Sequence, residues 1–355
     1  MDTTPSEVPA TRRIVDPMTS PLWSQLIAGR PSTVFHSPQW MRVLERTYGL
    51  AFSAGILERD GRPLAGVPWC DNNGLLGRRR ITLAFSDFCE VLADTPQDAA
   101  ALAEMALQGD RPWNLRTRAS ALPPVDAPVT HRSHFRWQGI DLNFDVPALW
   151  GRLNSMAQRG VVKAQRSGVE VRQAAHREEL REWYLLHLRL RKLKHRLLAQ
   201  PYSFFEHIWD VFIEPGEGFL LLAVYQGRII GGTLYLRWQD TCYYKFNASD
   251  SQFLTLRPNN LLVWRGMLEA REQGCFWLDL GRSPTSQEGL IGFKRNFGAL
   301  EEDLFSLSYG PEAQGADEGT EAQRLLRELT QFFVRESVPD EMSEEAANLL
   351  YQYFA

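Results

Sequence analysis

A lysine stands between two phenylalanines in Gly289-Leu290-Ile291-Gly292-Phe293-Lys294-Arg295-Asn296-Phe297-Gly298. An ammonium held in an aromatic frame suits an anion or a developing oxyanion. Upstream, Asp279-Leu280-Gly281-Arg282 ends an apolar strand and places a carboxylate and a guanidinium at a sheet edge. Asp279, and Asp87 in the other half, are the carboxylates that could serve as a general base. No Ser-His-Asp order or reactive-cysteine context stands out, so a covalent enzyme intermediate is not expected.

A second constellation lies on a helix expected from about Arg177 to Leu198. Arg189, Arg191, Lys192, Lys194 and Arg196 put five cations in eight residues beside His195. Such a patch could hold a phosphate-bearing partner such as transfer RNA, a nucleotide-linked sugar precursor or an anionic lipid carrier. The plainer reading is a solvated helix face whose Leu190, Leu193 and Leu197 pack inward.

These groups need elements to carry them, and the chain repeats itself in supplying them. Ala54 to Glu58, the turn Asp60-Gly61-Arg62 and Pro63 to Pro68 read as a hairpin. Phe219 to Tyr225, Gln226-Gly227-Arg228 and Ile229 to Leu234 read as a second. Gly61 and Gly227 are 166 residues apart, as are Gly66 and Gly232. An aromatic helix precedes each hairpin, through Trp40, Val43, Leu44 and Tyr48, and through Phe204, Phe205, Ile208 and Phe212. After the second hairpin come a strand at Thr241 to Phe246, a polar loop from Asn247 to Asn260, a helix from Leu261 to Gln273 and a buried strand from Cys275 to Gly281. That order predicts an α+β sheet splayed around a site. The acidic tail from Pro311 carries a helical stripe of Leu325, Leu326, Leu329, Phe332 and Phe333, read as core packing.

Composition sets the outer bounds. The 355 residues exceed one ordinary domain. A hydrophobic content of 44% and a net charge of −4 describe a folded chain rather than a generic nucleic-acid coat. Cys70, Cys89, Cys242 and Cys275 lie far apart with no metal-ligand spacing, so no metal site is expected, and free thiols suit a cytoplasmic location. Met1 to Arg13 has no apolar stretch of a secretory signal, and no run reaches the ~18 apolar residues of a spanning helix. Membrane contact is therefore expected to be peripheral.

Several short segments occur in a telling order: Phe35-His36-Ser37-Pro38-Gln39-Trp40, Phe85-Ser86-Asp87-Phe88-Cys89, Tyr244-Lys245-Phe246-Asn247-Ala248-Ser249-Asp250, Leu256-Arg257-Pro258-Asn259, Asp279-Leu280-Gly281-Arg282 and Phe293-Lys294-Arg295-Asn296-Phe297-Gly298. Together, from Val34 to Gly298, they resemble the FemAB-like family, which includes peptidoglycan bridge-forming aminoacyltransferases and acyltransferases encoded with exopolysaccharide genes. The resemblance implies two tandem acetyltransferase-like (GNAT) domains, at 21–150 and 151–310, between a polar arm at 1–20 and a helical tail at 311–355.

It also implies a transferase that moves an acyl or aminoacyl group onto an amine of a cell-envelope or exopolysaccharide precursor. No cofactor is held, and acyl-CoA or aminoacyl-tRNA enters as co-substrate. Lys294 matches a lysine that the family places by the transferred carbonyl. Arg191 is nearest to an arginine thought to bind the acceptor's phosphates, and Arg42 occupies the place of a second such cation. Tyr244, Arg257 and Asn259 complete the substrate-binding candidates. One departure bears on the donor. GNAT enzymes that use acetyl-CoA carry a Gln/Arg-x-x-Gly-x-Gly/Ala loop whose amides hold the pyrophosphate, and Leu256-Arg257-Pro258-Asn259-Asn260-Leu261-Leu262 has no glycine. A catalytically silent assembly factor for polysaccharide or cell-wall machinery is the alternative that the duplicated fold allows.

Overall fold

In a computed structural model that describes residues 10–74, 77–109, 111–310 and 321–354, the chain opens with β1 (Thr11–Val15), α1 (Pro21–Ala28) and α2 (Pro38–Tyr48). It continues through β2 (Phe52–Arg59), β3 (Arg62–Gly74), β4 (Gly77–Thr82), α3 (Pro96–Ala106), β5 (Trp113–Arg118) and β6 (Val129–Asp141). The second half holds α4 (Val146–Arg152), α5 (Ser155–Arg166), β7 (Glu170–Gln173), α6 (Arg177–Arg189), α7 (Tyr202–Ile208), β8 (Gly218–Tyr225), β9 (Arg228–Trp238) and β10 (Thr241–Ser249). Then follow α8 (Pro258–Glu272), β11 (Trp277–Pro284), α9 (Glu288–Arg295), β12 (Leu300–Tyr309), α10 (Glu321–Phe333) and α11 (Asp340–Leu350).

The chain forms two compact units, one around Leu50–Ser133 and the other around His134–Asp303 with the C-terminal helices. Strand order is β1-β2-β3-β4-β5-β12 in the first and β6-β11-β10-β9-β8-β7 in the second. Residues 11–15, expected as part of a polar arm, pair as a strand with β2, Thr11 opposite Glu58. The first nine residues and the start of the tail, 311–320, lie outside the described residues.

The sequence repeat is a structural repeat down to its irregularities. Asp60 and Gly61 have φ of 51° and 74°, and Gln226 and Gly227 have 50° and 76°. Both turns are left-handed at their two central residues, the type I′ geometry whose twist matches the strands it joins. Ile56 faces Gly66, and Leu222 faces Gly232, at the same register. Each pair of strands then slips by a residue, between Leu57 and Glu58 and between Ala223 and Val224. The matching glycines make room for a tryptophan. A Cβ on Gly66 would lie 2.9 Å from the Trp23 ring, and one on Gly232 would lie 2.6 Å from that of Trp183.

In the second unit, α8 packs on one face of the sheet through Leu261, Leu262, Met267 and Ala270 against Phe219, Leu221, Ala223 and Tyr235. The other face carries α6 and α7, where Trp183 covers Gly232 and His187, Phe204 and Phe205 surround Phe246. Three boundaries differ from expectation. β10 runs on to Ser249, followed by a 3-10 turn at Ser251–Leu256. α8 starts at Pro258, whose fixed φ suits the first turn of a helix. α6 gives way to a π-helical turn at Leu190–His195 and ends on left-handed Arg196, φ 55°. That wider turn rotates the expected faces: Lys192 is 4% exposed, whereas Leu193 and Leu197 point outward at 43% and 45%.

The tail stripe is likewise only half a core. Leu326 is buried on α10 while Leu325 and Phe332 are exposed, because a 3.6-residue period splits the run over two adjacent faces and one is covered.

Candidate active site

The site forms where two strands part. β10 and β11 pair in parallel at Thr241↔Trp277, Cys242↔Leu278 and Tyr243↔Asp279. Immediately beyond, both strands bulge against their other neighbours, β10 between Tyr244 and Phe246 and β11 between Asp279 and Arg282. Bulges increase local twist and re-aim side chains, so the two strands diverge from Tyr244 and Leu280 onward. Gly281, with φ of +68°, supplies the left-handed residue of the second bulge.

A cavity of about 20 Å³, room for about one water, lies in this gap, lined by Tyr244, Val263, Leu280, Phe293, Lys294 and Phe297. Phe293 also lines a cavity of about 450 Å³ with Arg159, Lys163, Arg257, Asn259 and Asn296. The second cavity sits at the N-terminus of the 15-residue α8, whose partial positive charge adds to that of the three cations. Arg257 precedes α8 in a left-handed conformation, φ +62°, and Asn259 accepts a hydrogen bond from Ser249. Arg159 and Lys163 project from one face of α5, and Gly160 between them lets α5 approach α8: a Cβ there would meet Asn260 at 2.6 Å.

Lys294 is 5% exposed. Its Nζ donates to Ser283 Oγ at 2.8 Å, to the Gly281 carbonyl at 3.3 Å and to that of Arg282 at 3.5 Å. Asp279, also 5% exposed, accepts from Trp137 Nε1 at 2.9 Å and from the Gly281 amide at 2.5 Å. Burial pushes the Tyr244 phenol well above its ordinary value, against the pull of a hydrogen bond with Thr233, so it remains a neutral donor at physiological pH.

The sequence-predicted residues thus fall into three groups. Lys294, Asp279 and Tyr244 converge on the β10–β11 gap, and Arg257 and Asn259 on the neighbouring cavity. Arg191 belongs to the opposite face of the same sheet, and Asp87 and Arg42 belong to the first unit. Asp87 is half-buried in the segment after β4, and Arg42 is exposed on α2. Arg159, Lys163, Ser283, Gln138 and Trp137 escaped the sequence reading. The i, i+4 spacing of Arg159 and Lys163 was a usable signal for the first two, whereas the rest are defined by strand register.

The basic helix is not an open phosphate patch. Arg189 Nε donates to Asp340 Oδ2 at 2.8 Å, and Lys192 Nζ donates to Asp340 Oδ1 at 3.0 Å and to the Val338 carbonyl. Arg181 meets Glu344 with two bonds of 2.5 and 2.7 Å. Arg191 Nε donates to the Leu198 carbonyl at 3.3 Å, and Arg196 reaches that of Val334. The protein's own acidic C-terminal helices therefore occupy much of the cationic face. The four cysteines are buried free thiols, and no cluster of metal-ligating side chains occurs among the described residues. Nor is any described helix long and apolar enough to cross a membrane.

Residues 154–295 match the family model described as an acetyltransferase (GNAT) domain. Among solved structures, FemX is similar at 14% identity, with 79% of this chain and 94% of FemX covered and a TM-score of 0.61. A tandem GNAT protein from the clavulanic acid biosynthesis pathway is 14% identical over 85% of this chain and all (100%) of its own, TM-score 0.51. L-PGS from Bacillus licheniformis is 12% identical over 88% of this chain and 96% of its own, TM-score 0.51. No curated protein sequence matches the chain significantly. What these structures share with it is the tandem GNAT fold.

Proposed function

Because the chain is a FemAB-like protein in fold and carries a GNAT acetyltransferase domain at residues 154–295, we propose that it is an acyl- or aminoacyltransferase acting on an amine of a cell-envelope or exopolysaccharide precursor. The observation that carries this reading is a buried lysine, Lys294, at the opening between two splayed strands, next to a cavity lined by three cations. The likeness in fold to FemX and L-PGS supports an envelope-directed acceptor.

The chemistry follows from these groups. The acceptor's amine attacks the carbonyl carbon of a donor ester or thioester; a C–N bond forms and the carbonyl electrons move onto oxygen. The Lys294 ammonium stabilises that oxyanion, an effect worth roughly 3 to 4 kcal/mol for one well-placed donor. Collapse breaks the C–O or C–S bond, and the proton lost by the amine balances the one gained by the leaving group. Tyr244, a neutral phenol in the same cavity, is a candidate donor for the leaving atom. Asp279, both of whose oxygens accept hydrogen bonds, holds the bulge in shape and offers its charge to the acceptor ammonium.

The donor's phosphates belong in the larger cavity. Pro258 lacks an amide and side chains stand where glycines would admit a pyrophosphate, so recognition falls to Arg159, Lys163 and Arg257 rather than to backbone. This favours aminoacyl-tRNA over acetyl-CoA as co-substrate. Titration of the purified protein with acetyl-CoA, a longer acyl-CoA and charged tRNA at two salt concentrations tests it. Salt-sensitive binding of tRNA, weakened in Arg257→Ala, is expected. Saturable, salt-insensitive CoA-thioester binding would reassign the donor, and binding of none of the three would leave a silent assembly factor as the better reading.

A further inference from the structure

We infer that Ser283 and Gln138 are positioning residues that keep Lys294 in its charged form at the reaction centre. The catalytic consequence rests on the function proposed above, but the arrangement itself stands on geometry. Gln138 lies opposite the β11 bulge, between the pairs Gly139↔Asp279 and Trp137↔Arg282. Both Gln138 and Ser283 are fully buried, at 0% exposure.

Their hydrogen bonds admit one polarity. Gln138 Nε2 donates to the Ile291 carbonyl at 3.0 Å and to Glu301 Oε1 at 3.1 Å, two groups that only accept. The amide oxygen must therefore face Ser283, whose hydroxyl donates to it at 3.3 Å. A hydroxyl has a single hydrogen, so Ser283 offers Lys294 Nζ a lone pair at 2.8 Å. Nζ also donates to the carbonyls of Gly281 and Arg282. These three acceptors cannot donate, and the Asp279 carboxylate stands at the other end of Gly281, an arrangement that favours an ammonium over a neutral amine. Glu301 is in turn held by Arg295, at 2.9 and 3.0 Å, which fixes the outer end of the relay. A general base would need the free amine, so this surround assigns Lys294 to charge stabilisation.

The test follows the Nζ resonance of Lys294 in full-length protein labelled with ¹⁵N-lysine, assigned through Lys294→Arg and titrated with pH. Ser283→Ala and Gln138→Leu should each lower the titration midpoint, and Ser283→Thr, which keeps the hydroxyl, should restore it. A midpoint unchanged in Ser283→Ala, in protein shown to be folded by thermal unfolding, overturns the inference. If Ser283→Ala does not fold, Gln138→Leu decides by the same criterion, and Ser283→Cys stands in if neither does. Transfer measured alongside separates the two claims: a shifted midpoint with activity intact in Lys294→Ala would refute the proposed function but leave the positioning in place.

Discussion

Asp279 and Lys294 grip the two ends of one residue: Asp279 Oδ1 accepts the Gly281 amide at 2.5 Å, and Lys294 Nζ donates to the Gly281 carbonyl at 3.3 Å. The left-handed glycine that parts β11 from β10 is thus fixed from one end by Asp279 and from the other by Lys294, which lines the cavity. Opening the cleft and placing its cation are one structural event. A carboxylate two residues before a glycine and a lysine on the next helix are what that event requires.

The C-terminal helices should be part of the folded unit rather than a loose appendage. Lys192 is buried, and Asp340 answers both it and Arg189. Burial alone would raise the Asp340 carboxyl, but hydrogen bonds from Arg189 and Lys192 outweigh it and hold the group below its ordinary value. A depressed carboxylate stabilises above its unfolded value, about 3.9, and that contribution fades as pH falls through the folded value. Asp340→Asn should cost about 2 kcal/mol, in the range for hydrogen bonds to a charged group and below the roughly 3–5 kcal/mol of a fully buried pair, because Asp340 is partly solvated. Limited proteolysis should cut α10–α11 faster in the variant; equal protection would contradict the account.

A second pH effect sits at His187. The ring is 4% exposed, stacks on Trp183 with centroids 5.6 Å apart and has Nε2 2.9 Å from Gln200 Oε1. Burial pushes the imidazole down to about 3; the Gln200 bond opposes this, and the charges of Arg191 and His195 add to it. The unfolded chain takes up this proton near pH 6.5 and the native protein does not, so stability falls as pH drops below 6.5 and goes on falling towards 3. Between pH 6.5 and 5 the loss is ~2 kcal/mol. Unfolding free energies from urea titrations at pH 7.5 and 5 should differ by about that much less in His187→Gln than in the unaltered protein, and an unchanged difference would place the acid sensitivity elsewhere.

Much of the fold was legible because its signals are local. Asp60-Gly61 and Gln226-Gly227 announce their turns by residue type, and Gly66 and Gly232 mark the same tryptophan-covered spot 166 residues apart. Lys294 and Asp279 converge because a strand, a bulge and the next helix are close in sequence, and Tyr244 joins them through the parallel pairing of β10 with β11. The basic helix misled for the opposite reason. Its partners Asp340 and Glu344 are about 150 residues away, and its π turn breaks the period from which inward and outward faces are read. Gln138 and Ser283 meet only through strand register, which no local pattern encodes.

The most direct test of the central claim is transfer itself. Single-turnover movement of a labelled acyl group, from whichever donor binds to a nucleotide-linked primary amine, should be compared between the unaltered protein and Lys294→Ala. The account predicts donor affinity within about twofold and a rate lower by roughly 10²–10³-fold. Transfer at the unaltered rate in Lys294→Ala, with folding and donor binding preserved, would contradict it.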